Sequence, residues 1–464
     1  MPPQATITVA LSYNGRTVLI LPILFLGGIL FFEQGRWLWH RRHRQRVLKM
    51  HWENVDGQQV LEVVPDLQLE ELTDEEPGLV PADPEGARKA VAVMREPNEG
   101  WRQKLYTSLR FAGRFVNPFL EWRDKNATNF WEYLHWQLTR TNRNGIPRNR
   151  QLLEDALPTV KPNFALLHKR PQPPPIADLS SSWIAEPSPH SDSLTSHNMN
   201  VTWFGQSTCL VQMDGYNVLT DPIFSERTID YIGPRRLRPA PCKLSELPKI
   251  DIVLVSHNHY DHLDHKAVKE LGNSVTWYIP LGMRDWFARY GVTKVVELDW
   301  WQEHQHDDRL QIISTPIQHW SGRHFFDVNQ TLWSSFVVRG PHNSFFHCGD
   351  TGYCSAFAEI GKRYGPITLA ALPIGSYEPR WFLRHQHASP EEAVQMHKEL
   401  RAKHTIGVHW GTFMMSDEHY LDPPRVLDES REEAGVGGRE VFTTRIGETV
   451  VVPPGEGWRS FGED

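Results

Sequence analysis

One ten-residue stretch constrains the fold of this chain more than any other. Residues 253–262 read Val-Leu-Val-Ser-His-Asn-His-Tyr-Asp-His. The apolar and β-branched residues at its start predict a short buried strand. Four potential metal ligands follow directly: His257, His259, Asp261 and His262. Imidazoles and carboxylates packed this closely at a strand exit are typical of a metal site.

The ligand types suit zinc and leave iron and manganese open. A single histidine is usually an ordinary core or surface residue, and the chain has 23 histidines. Two histidines at i and i+2 on an extended turn can nevertheless close on one ion, and the Asp-His pair beyond them can reach a second. The four cysteines (Cys209, Cys242, Cys348 and Cys354) form no CxxC pair. This pattern indicates a reducing compartment and leaves metal binding to histidine and aspartate.

The overall composition limits the classes of protein to consider. A chain of 464 residues is long enough for a large catalytic domain with additional segments. The formal net charge of −7 argues against nucleic acid as the main partner. The 18 tryptophans are explained either by core packing or by a surface that contacts lipid.

The N-terminal region carries an apolar run at residues 18–32, followed by a cluster of arginines from Arg36 to Arg46. The run is short for a membrane span, which takes about 20 residues. A secretory signal would place its positive charge before the apolar run, whereas here the charge follows it. We therefore expect an uncleaved anchor, with an interfacial or mitochondrial targeting segment as the alternative. The positive-inside rule predicts that the catalytic domain lies on the cytosolic or matrix side of an intracellular membrane. The mitochondrion and the endoplasmic reticulum are not distinguished.

Shifts in composition divide the chain into five segments. The acidic linker is expected to be disordered, and the arm, with a helix over residues 130–138, is expected to pack on the catalytic domain. The segments are an apolar anchor or targeting segment with a basic flank (1–50), an acidic linker (51–100), an aromatic and basic arm (101–170), a Pro/Ser-rich loop (171–199) and a catalytic domain (200–455).

The catalytic domain reads as a succession of strands with some helices between them. The clearest helix start is Ser389, with Pro390 at the first helical position and Glu392 completing a capping box. Two runs of strands with helices on the outside predict an α/β sandwich. The predicted strands are 201–204, 209–213, 217–220, 252–255, 276–279, 310–315, 334–338, 344–347, 367–374 and 405–408.

Three more candidate ligands, His319, Asp350 and His409, also follow predicted strands. Strand ends on one edge of a sheet can gather distant residues into one cleft. Each of these residues alone is as easily a core histidine or a turn aspartate. Together with the first four they form a set of seven, which is enough for two ions with one shared carboxylate.

The same residues carry a resemblance to a known family. The run from His257 to His262, followed by His319, Asp350 and His409 in that order, resembles the signature of the metallo-β-lactamase fold. Longer runs resemble the N-acyl-phosphatidylethanolamine-hydrolysing phospholipases D, over roughly residues 114–451. These runs are 219–224, 256–264, 298–301, 349–354, 377–381 and 409–413. The resemblance does not extend to the first hundred residues.

The resemblance implies an α/β fold of four layers, an αββα sandwich, holding two zinc ions. His257, His259 and His319 would bind one ion, and Asp261, His262 and His409 the other, with Asp350 bridging. Asp221, at the exit of the third predicted strand, would orient a ligand histidine. His387 would contact the phosphate or aid proton transfer. Tyr260 would donate a hydrogen bond to a phosphoryl oxygen, with plain packing as the alternative.

The implied activity is hydrolysis of N-acyl-phosphatidylethanolamine to N-acylethanolamine and phosphatidic acid. The implied partners are a membrane phospholipid as substrate and a second copy of the chain, with a hydrophobic groove at the membrane. Because one fold hosts many activities, hydrolysis of a soluble phosphodiester or a lactone is the first alternative. A non-enzymatic membrane protein with structural zinc is the second, although structural zinc sites are closed by four ligands and this set leaves room for water.

Overall fold

The computed structural model describes residues 11–13, 16–18, 106–111, 113–119, 122, 130–140, 144–169, 198–324, 326–452 and 459–461. The chain separates into two units, residues 1–96 with 123–140 and residues 97–122 with 141–464. In the first unit, β1 (Leu11–Tyr13) and β2 (Arg16–Val18) form an antiparallel pair. The predicted helix of the arm is confirmed as Phe130–Thr139.

The apolar run at 18–32 lies outside the described residues apart from Val18, and the acidic linker lies wholly outside them. Among the residues that the structure does describe, no helix has the length and apolar character needed to cross a membrane. The division of the chain into five segments therefore stays a prediction.

Among its described residues, the second unit contains one two-stranded sheet and two large sheets. The two-stranded sheet pairs β3 (Leu109–Phe111) with β4 (Arg114–Val116). The first large sheet has the order β10-β9-β8-β7-β6-β5-β18-β19, with parallel pairing from β7 to β10 and antiparallel pairing elsewhere. Its strands are β5 (Met199–Trp203), β6 (Cys209–Met213), β7 (Tyr216–Thr220), β8 (Ile252–Leu254), β9 (Thr276–Pro280), β10 (Val295–Leu298), β18 (Thr449–Val452) and β19 (Arg459–Phe461).

The second large sheet has the order β11-β12-β13-β14-β15-β16-β17 and is antiparallel up to β14 and parallel beyond it. Its central strands are almost continuously apolar because both faces of the sheet are covered. Its strands are β11 (Glu303–Gln305), β12 (Gln311–Thr315), β13 (Ser335–Arg339), β14 (Ser344–His347), β15 (Ile367–Pro373), β16 (Ala402–Val408) and β17 (Val441–Phe442).

Helices cover the outer faces of both sheets, which gives the four-layer αββα order. Helices His265–Leu271 and Arg284–Ala288 bury Val268 and Phe287 in one apolar cluster with Val253 and Trp277 of the first sheet. Helix Pro390–Glu399 lies on β15 and β16 of the second sheet, between helices Ala356–Tyr364 and Asp422–Glu433. The remaining α-helices among the described residues of this unit are Arg150–Ala156, Phe164–Leu167 and Arg380–Leu383. The predicted α/β sandwich is confirmed.

The predicted strands agree with the structure to within a few residues. Two of them, 209–213 and 344–347, have the predicted bounds. The capping box at Ser389 is formed, with the Ser389 hydroxyl accepting from the Glu392 amide. Strands β10, β11, β17 and β18 are absent from the predicted set. They are short or charged, and β18 becomes a strand by pairing with β5, which lies far away in the sequence.

Candidate metal centre

Three histidines on two different loops bring their ring nitrogens together. His257 and His259 follow β8 of the first sheet, and His319 follows β12 of the second. The Nε2 atom of His257 lies 2.7 Å from Nδ1 of His259, which in turn lies 3.2 Å from Nε2 of His319. Such convergence of three nitrogen atoms on one point is the geometry of a metal-binding group.

A second group forms beside the first from Asp261, His262, Asp350 and His409. The Nε2 atom of His262 lies 3.3 Å from Oδ2 of Asp261, and Nε2 of His409 lies 3.4 Å from the same oxygen. All four residues are buried. The structure thus brings together all seven residues that were predicted as ligands.

Asp350 lies between the two groups. Its Oδ1 is 3.0 Å from Nε2 of His409, and its Oδ2 is 3.1 Å from Nε2 of His262. The same Oδ2 is 4.0 Å from Nε2 of His257 and 3.9 Å from Nε2 of His319. One carboxylate therefore faces ligand atoms of both groups, as a bridging ligand would.

The histidines of the first group are in the protonation state that binds a metal cation. Burial lowers the pKa of His259 to about 4 and that of His319 to about 3. These imidazoles are therefore neutral at physiological pH, and a neutral imidazole is the form that binds a metal.

The second group places two carboxylates beside two histidines in a buried environment. Burial opposes ionisation of Asp350, but the neighbouring His262 and His409 outweigh it and hold the pKa of Asp350 well below its usual range. Burial lowers the pKa of His409, but the Asp350 and Asp261 carboxylates raise it to about 9. Two buried carboxylates thus need positive charge nearby. His262 Nε2 and Asp350 Oδ1 are buried without an aligned hydrogen bond among the described residues. These donor atoms and this charge fit one or more divalent metal ions.

Asp221 connects the two groups through hydrogen bonds, to the second group through His262 and to the first through Ser256. Its Oδ2 accepts hydrogen bonds from the Ser256 hydroxyl at 2.7 Å, from Nδ1 of His262 at 2.8 Å and from Nε2 of His347 at 2.9 Å. The Ser256 hydroxyl also lies 2.9 Å from Nδ1 of His257. Burial would raise the pKa of Asp221, but His347 and His262 outweigh it and lower the pKa to about 2. An ionised Asp221 therefore fixes the ring of His262 directly and that of His257 through Ser256.

The backbone is bent sharply where it delivers these residues. Asp221 and His409 have positive φ angles of 33° and 64°, conformations that non-glycine residues seldom adopt. At Gly349 (φ 67°), a Cβ atom would lie 2.3 Å from the Cβ of Ser256. Only glycine allows the turn before Asp350 to approach the loop of His257 this closely.

Gln206 belongs to the centre and is absent from the predicted site. It lies in the turn between β5 and β6, and its Nε2 is 2.6 Å from Oδ2 of Asp261 and 2.7 Å from Nε2 of His409. Its backbone carbonyl accepts a hydrogen bond from the His409 amide at 2.9 Å. In the sequence, Gln206 is one polar residue among several in a turn, and no local pattern distinguishes it.

The arm before the catalytic domain also reaches the centre. The side chain of Asn117 donates a hydrogen bond of 2.6 Å to the carbonyl of His319, and Phe119 packs against Trp300. On the other side of His319, its Nδ1 lies 2.9 Å from the carbonyl of Gln386. His319 is thus fixed through its main chain by the arm and through its ring by the segment that ends at His387.

We expect Asn117→Asp to weaken metal binding about tenfold or more, since loss of a residue that orients a ligand typically costs 10–100-fold in affinity. Aspartate has the shape of asparagine but no donor, and it would face the His319 carbonyl with a negative charge. Titration with zinc against a chelator of known affinity measures the effect. Arg110→Ala, an exposed change on the same arm, is the control and is expected to bind like the unmodified protein. Equal affinities for all three proteins would show that the arm does not support His319.

The remaining predicted residues lie around the centre. His387 is half-buried, with its Nδ1 3.9 Å from Oδ2 of Asp350, and its ring stacks on that of His409 with 5.3 Å between centroids. Burial lowers the pKa of His387 to about 3. Tyr260 packs under the guanidinium of Arg323, which lies 3.9 Å from its ring centroid. This is the packing role that the sequence left open for Tyr260, and its predicted hydrogen bond to a phosphoryl oxygen stays a prediction.

Fold and site together define the class of the protein. Residues 216–410 match the model of the Beta-lactamase superfamily domain. A metallo hydrolase of Ignicoccus hospitalis resembles the structure at 23% identity, with 55% of this chain and 98% of that one covered and a TM-score of 0.42. The match of residues 216–410 to the family model shows that the chain has a domain of the metallo-β-lactamase superfamily.

Two curated relatives narrow the assignment. The chain is 36% identical over 361 residues to the mitochondrial N-acyl-phosphatidylethanolamine-hydrolysing phospholipase D of Saccharomyces cerevisiae, covering 74% of this chain and 76% of the relative. It is 36% identical over 345 residues to N-acyl-phosphatidylethanolamine-hydrolysing phospholipase D 1 of Caenorhabditis elegans, covering 70% and 89%. The chain therefore belongs to the family of N-acyl-phosphatidylethanolamine-hydrolysing phospholipases D.

Proposed function

We propose that the chain is a zinc-dependent phosphodiesterase that hydrolyses N-acyl-phosphatidylethanolamine to N-acylethanolamine and phosphatidic acid. The phospholipase D activity follows from relatives that bear this name over most of the chain. The observation that carries the metal dependence is the convergence of the two ligand groups on either side of Asp350. Zinc, and two ions per chain, are our proposals on the basis of ligand chemistry.

The proposed assignment of ligands follows from the distances in the two groups. His257, His259 and His319 would hold one ion, and Asp261, His262 and His409 the second, with Asp350 shared. When bound, two zinc ions would lower the pKa of a water molecule to about 7 and would supply positive charge that stabilises the phosphoryl oxygens. The reaction adds water at phosphorus and breaks the bond between phosphorus and the ethanolamine oxygen, which leaves with a proton as the alcohol of N-acylethanolamine.

The protein side chains would orient the metal ligands and balance the charge of the site. Asp221 holds His262 and, through Ser256, His257 in their rotamers, so that these ligands need no rearrangement. Asp350 and Asp261, which are ionised and buried, would balance the charge of bound cations. His387 is the neutral imidazole beside Asp350, and we propose that it donates a hydrogen bond to a phosphoryl oxygen.

We expect His387→Ala to lower kcat about tenfold, the value of one neutral hydrogen bond, while the metal content stays unchanged. Steady-state kinetics and metal analysis by mass spectrometry together measure the two quantities. His397→Ala offers a control, since His397 is a buried histidine that lies 2.9 Å from Thr405, away from the ligand groups. A His387→Ala protein with unchanged kcat would remove this residue from the mechanism, whereas loss of metal would make it a structural support of the ligands.

The reaction type is tested by hydrolysis in water labelled with ¹⁸O. Attack at phosphorus predicts that the label enters phosphatidic acid and that N-acylethanolamine remains unlabelled. Label in N-acylethanolamine would show cleavage of the carbon–oxygen bond and would contradict the proposed mechanism. Turnover of water-soluble esters alone, without gain from lipid vesicles, would favour the alternative of a soluble phosphodiester or lactone.

We further propose association with an intracellular membrane, with the catalytic domain on its cytosolic or matrix side. The support is the apolar run at 18–32 with its basic flank and the phospholipid substrate of the family. The yeast relative is named mitochondrial, which makes the mitochondrion the first compartment to examine by fractionation. Pairing of two copies, suggested by the family resemblance, is a proposal that sedimentation of the purified chain tests.

A further inference from the structure

A hairpin beside the metal centre presents two apolar side chains to solvent. Residues 226–236 fold back on themselves, with backbone hydrogen bonds from Thr228 to Pro234, from Gly233 to Ile229 and from Arg236 to Glu226. At the tip, Tyr231 is 93% exposed and Ile232 is 83% exposed. Adjacent large apolar residues on the tip of an internally hydrogen-bonded hairpin contribute little to the fold, so their exposure points to an external partner.

The base of the hairpin is fixed to the segment that carries the metal ligands. The Ser225 hydroxyl donates 2.7 Å to Oδ2 of Asp264, which comes two residues after His262. Lys266 and Asp230 form an ion pair of 2.6 Å. The buried Arg236 donates to the carbonyls of Phe204 and Ile223 beneath the hairpin. The tip is therefore held at a defined position relative to the site.

A second exposed aromatic residue lies on another loop that is attached to the same segment. Phe326, 67% exposed, belongs to the loop that follows His319. In this loop, Arg323 donates hydrogen bonds of 3.0 Å and 2.9 Å to the carbonyls of Asn258 and Leu263. The segment 258–264 is thus attached to both loops, of which one exposes Tyr231 and Ile232 and the other exposes Phe326.

We propose that the tip of the 226–236 hairpin, Tyr231 and Ile232, inserts into the surface of the phospholipid bilayer and anchors the metal centre over its lipid substrate. This inference rests on the proposed function. The substrate keeps its acyl chains in the bilayer, so the site must be brought to the membrane surface. A tyrosine and an isoleucine at one tip are typical of an interfacial anchor, with the ring at the headgroup level.

The charge of the hairpin surface and the small area of its exposed tip favour lipid over a protein partner. Arg236 is buried and Arg238 pairs with Glu154, so neither contributes charge to the exposed surface of the hairpin. On that surface, Arg235 pairs with Glu226 and Lys266 pairs with Asp230, which leaves the positive charge of Arg227. This small excess of positive charge suits the phosphates of a membrane surface. A stable protein interface buries about 800 Å² on each partner, far more than two side chains at a hairpin tip provide.

The test compares two double variants of the full chain. Tyr231→Ser/Ile232→Ser removes the apolar tip, whereas Tyr231→Phe/Ile232→Leu keeps it and serves as the matched control. Binding is measured by flotation with vesicles of phosphatidylcholine and phosphatidylglycerol, which contain no substrate. Hydrolysis is measured on vesicles that contain N-acyl-phosphatidylethanolamine and on a short-chain analogue dissolved as monomers.

We expect the serine variant to lose about tenfold or more in vesicle binding and in hydrolysis on vesicles, from the lost burial of two apolar side chains. Hydrolysis of the monomeric analogue is expected to remain within about twofold, and the control variant to behave like the unmodified protein. Vesicle binding unchanged in the serine variant would overturn the proposal. Loss of hydrolysis on the monomers would overturn it as well, because the tip would then support the site rather than the membrane contact.

Two other outcomes distinguish this inference from the proposed function and from contact with a second copy of the chain. If the unmodified protein hydrolyses neither substrate, the proposed function fails, while the flotation result still decides whether the tip binds lipid. If the serine variant changes from dimer to monomer in sedimentation and still floats with the vesicles, the tip contacts a second copy of the chain and the proposal is wrong.

Discussion

Asp350→Asn is expected to lower the hydrolysis of N-acyl-phosphatidylethanolamine by about 10³-fold or more, because a centre of this kind depends on its metal ions for charge stabilisation. The substitution would keep the shape of the side chain and remove the charge that faces both ligand groups. Oδ1 of Asp350 lies 3.0 Å from His409 Nε2, and Oδ2 lies 3.1 Å from His262 Nε2. With one carboxylate left in the second group, binding of the second ion is expected to suffer most.

The measurement is steady-state hydrolysis together with metal content after dialysis against a limiting chelator. Asp285→Asn removes the charge of an exposed aspartate on helix Arg284–Ala288 and is expected to leave both quantities unchanged. Full activity of Asp350→Asn with two metal ions bound would contradict the shared role of this carboxylate. Full cellular function of an inactive Asp350→Asn protein would instead favour the structural alternative, in which the metal serves only the fold.

The second large effect is expected for Asp221→Asn, on metal affinity and on stability together. The carboxylate of Asp221 is fully buried and accepts from Ser256, His262 and His347. Replacing it leaves the two imidazoles without their common anion, and removal of one partner of a buried ion pair costs about 3–5 kcal/mol. Loss of the residue that orients the ligands is expected to reduce metal affinity about 10–100-fold.

Thermal unfolding in the presence of excess chelator isolates the stability effect, and competition with a zinc chelator gives the affinity. Ser256→Ala should lie between Asp221→Asn and the unmodified protein in affinity, because it breaks only the connection from Asp221 to His257. If Asp221→Asn and Ser256→Ala both bind zinc with unchanged affinity, the ligands are held by packing alone and the network below them has no role in metal binding.

The group of seven candidate ligands that the structure brings together could be predicted from the sequence because each member follows an apolar strand. Val253 to Val255, for example, are apolar and precede His257 by two residues, so strand and ligand are visible in one short window. His319, Asp350 and His409 could be grouped from the sequence because each follows a predicted strand. They share one edge of the second sheet because β12, β14 and β16 run in the same direction, and this direction is visible only in the structure.

The supporting residues could not be predicted in the same way, because their roles depend on contacts across long sequence separations. Asn117 reaches His319 from 202 positions away, and His347 reaches Asp221 from 126 positions away. His347 lies at the end of a predicted core strand, where an apolar environment is the ordinary expectation. Gln206 follows β5 of the first sheet and His409 follows β16 of the second sheet. Their contact therefore depends on how the two sheets pack together.

Metal-dependent hydrolysis of N-acyl-phosphatidylethanolamine in mixed micelles tests the central claim most directly. The unmodified protein and His259→Ala are compared, and both products are followed by mass spectrometry. We expect N-acylethanolamine and phosphatidic acid in equal amounts from the unmodified protein, loss of both products with a chelator, and neither product from His259→Ala. Equal product formation by the two proteins would contradict catalysis at this centre. The absence of products from a metal-loaded, unmodified protein would contradict the assigned substrate.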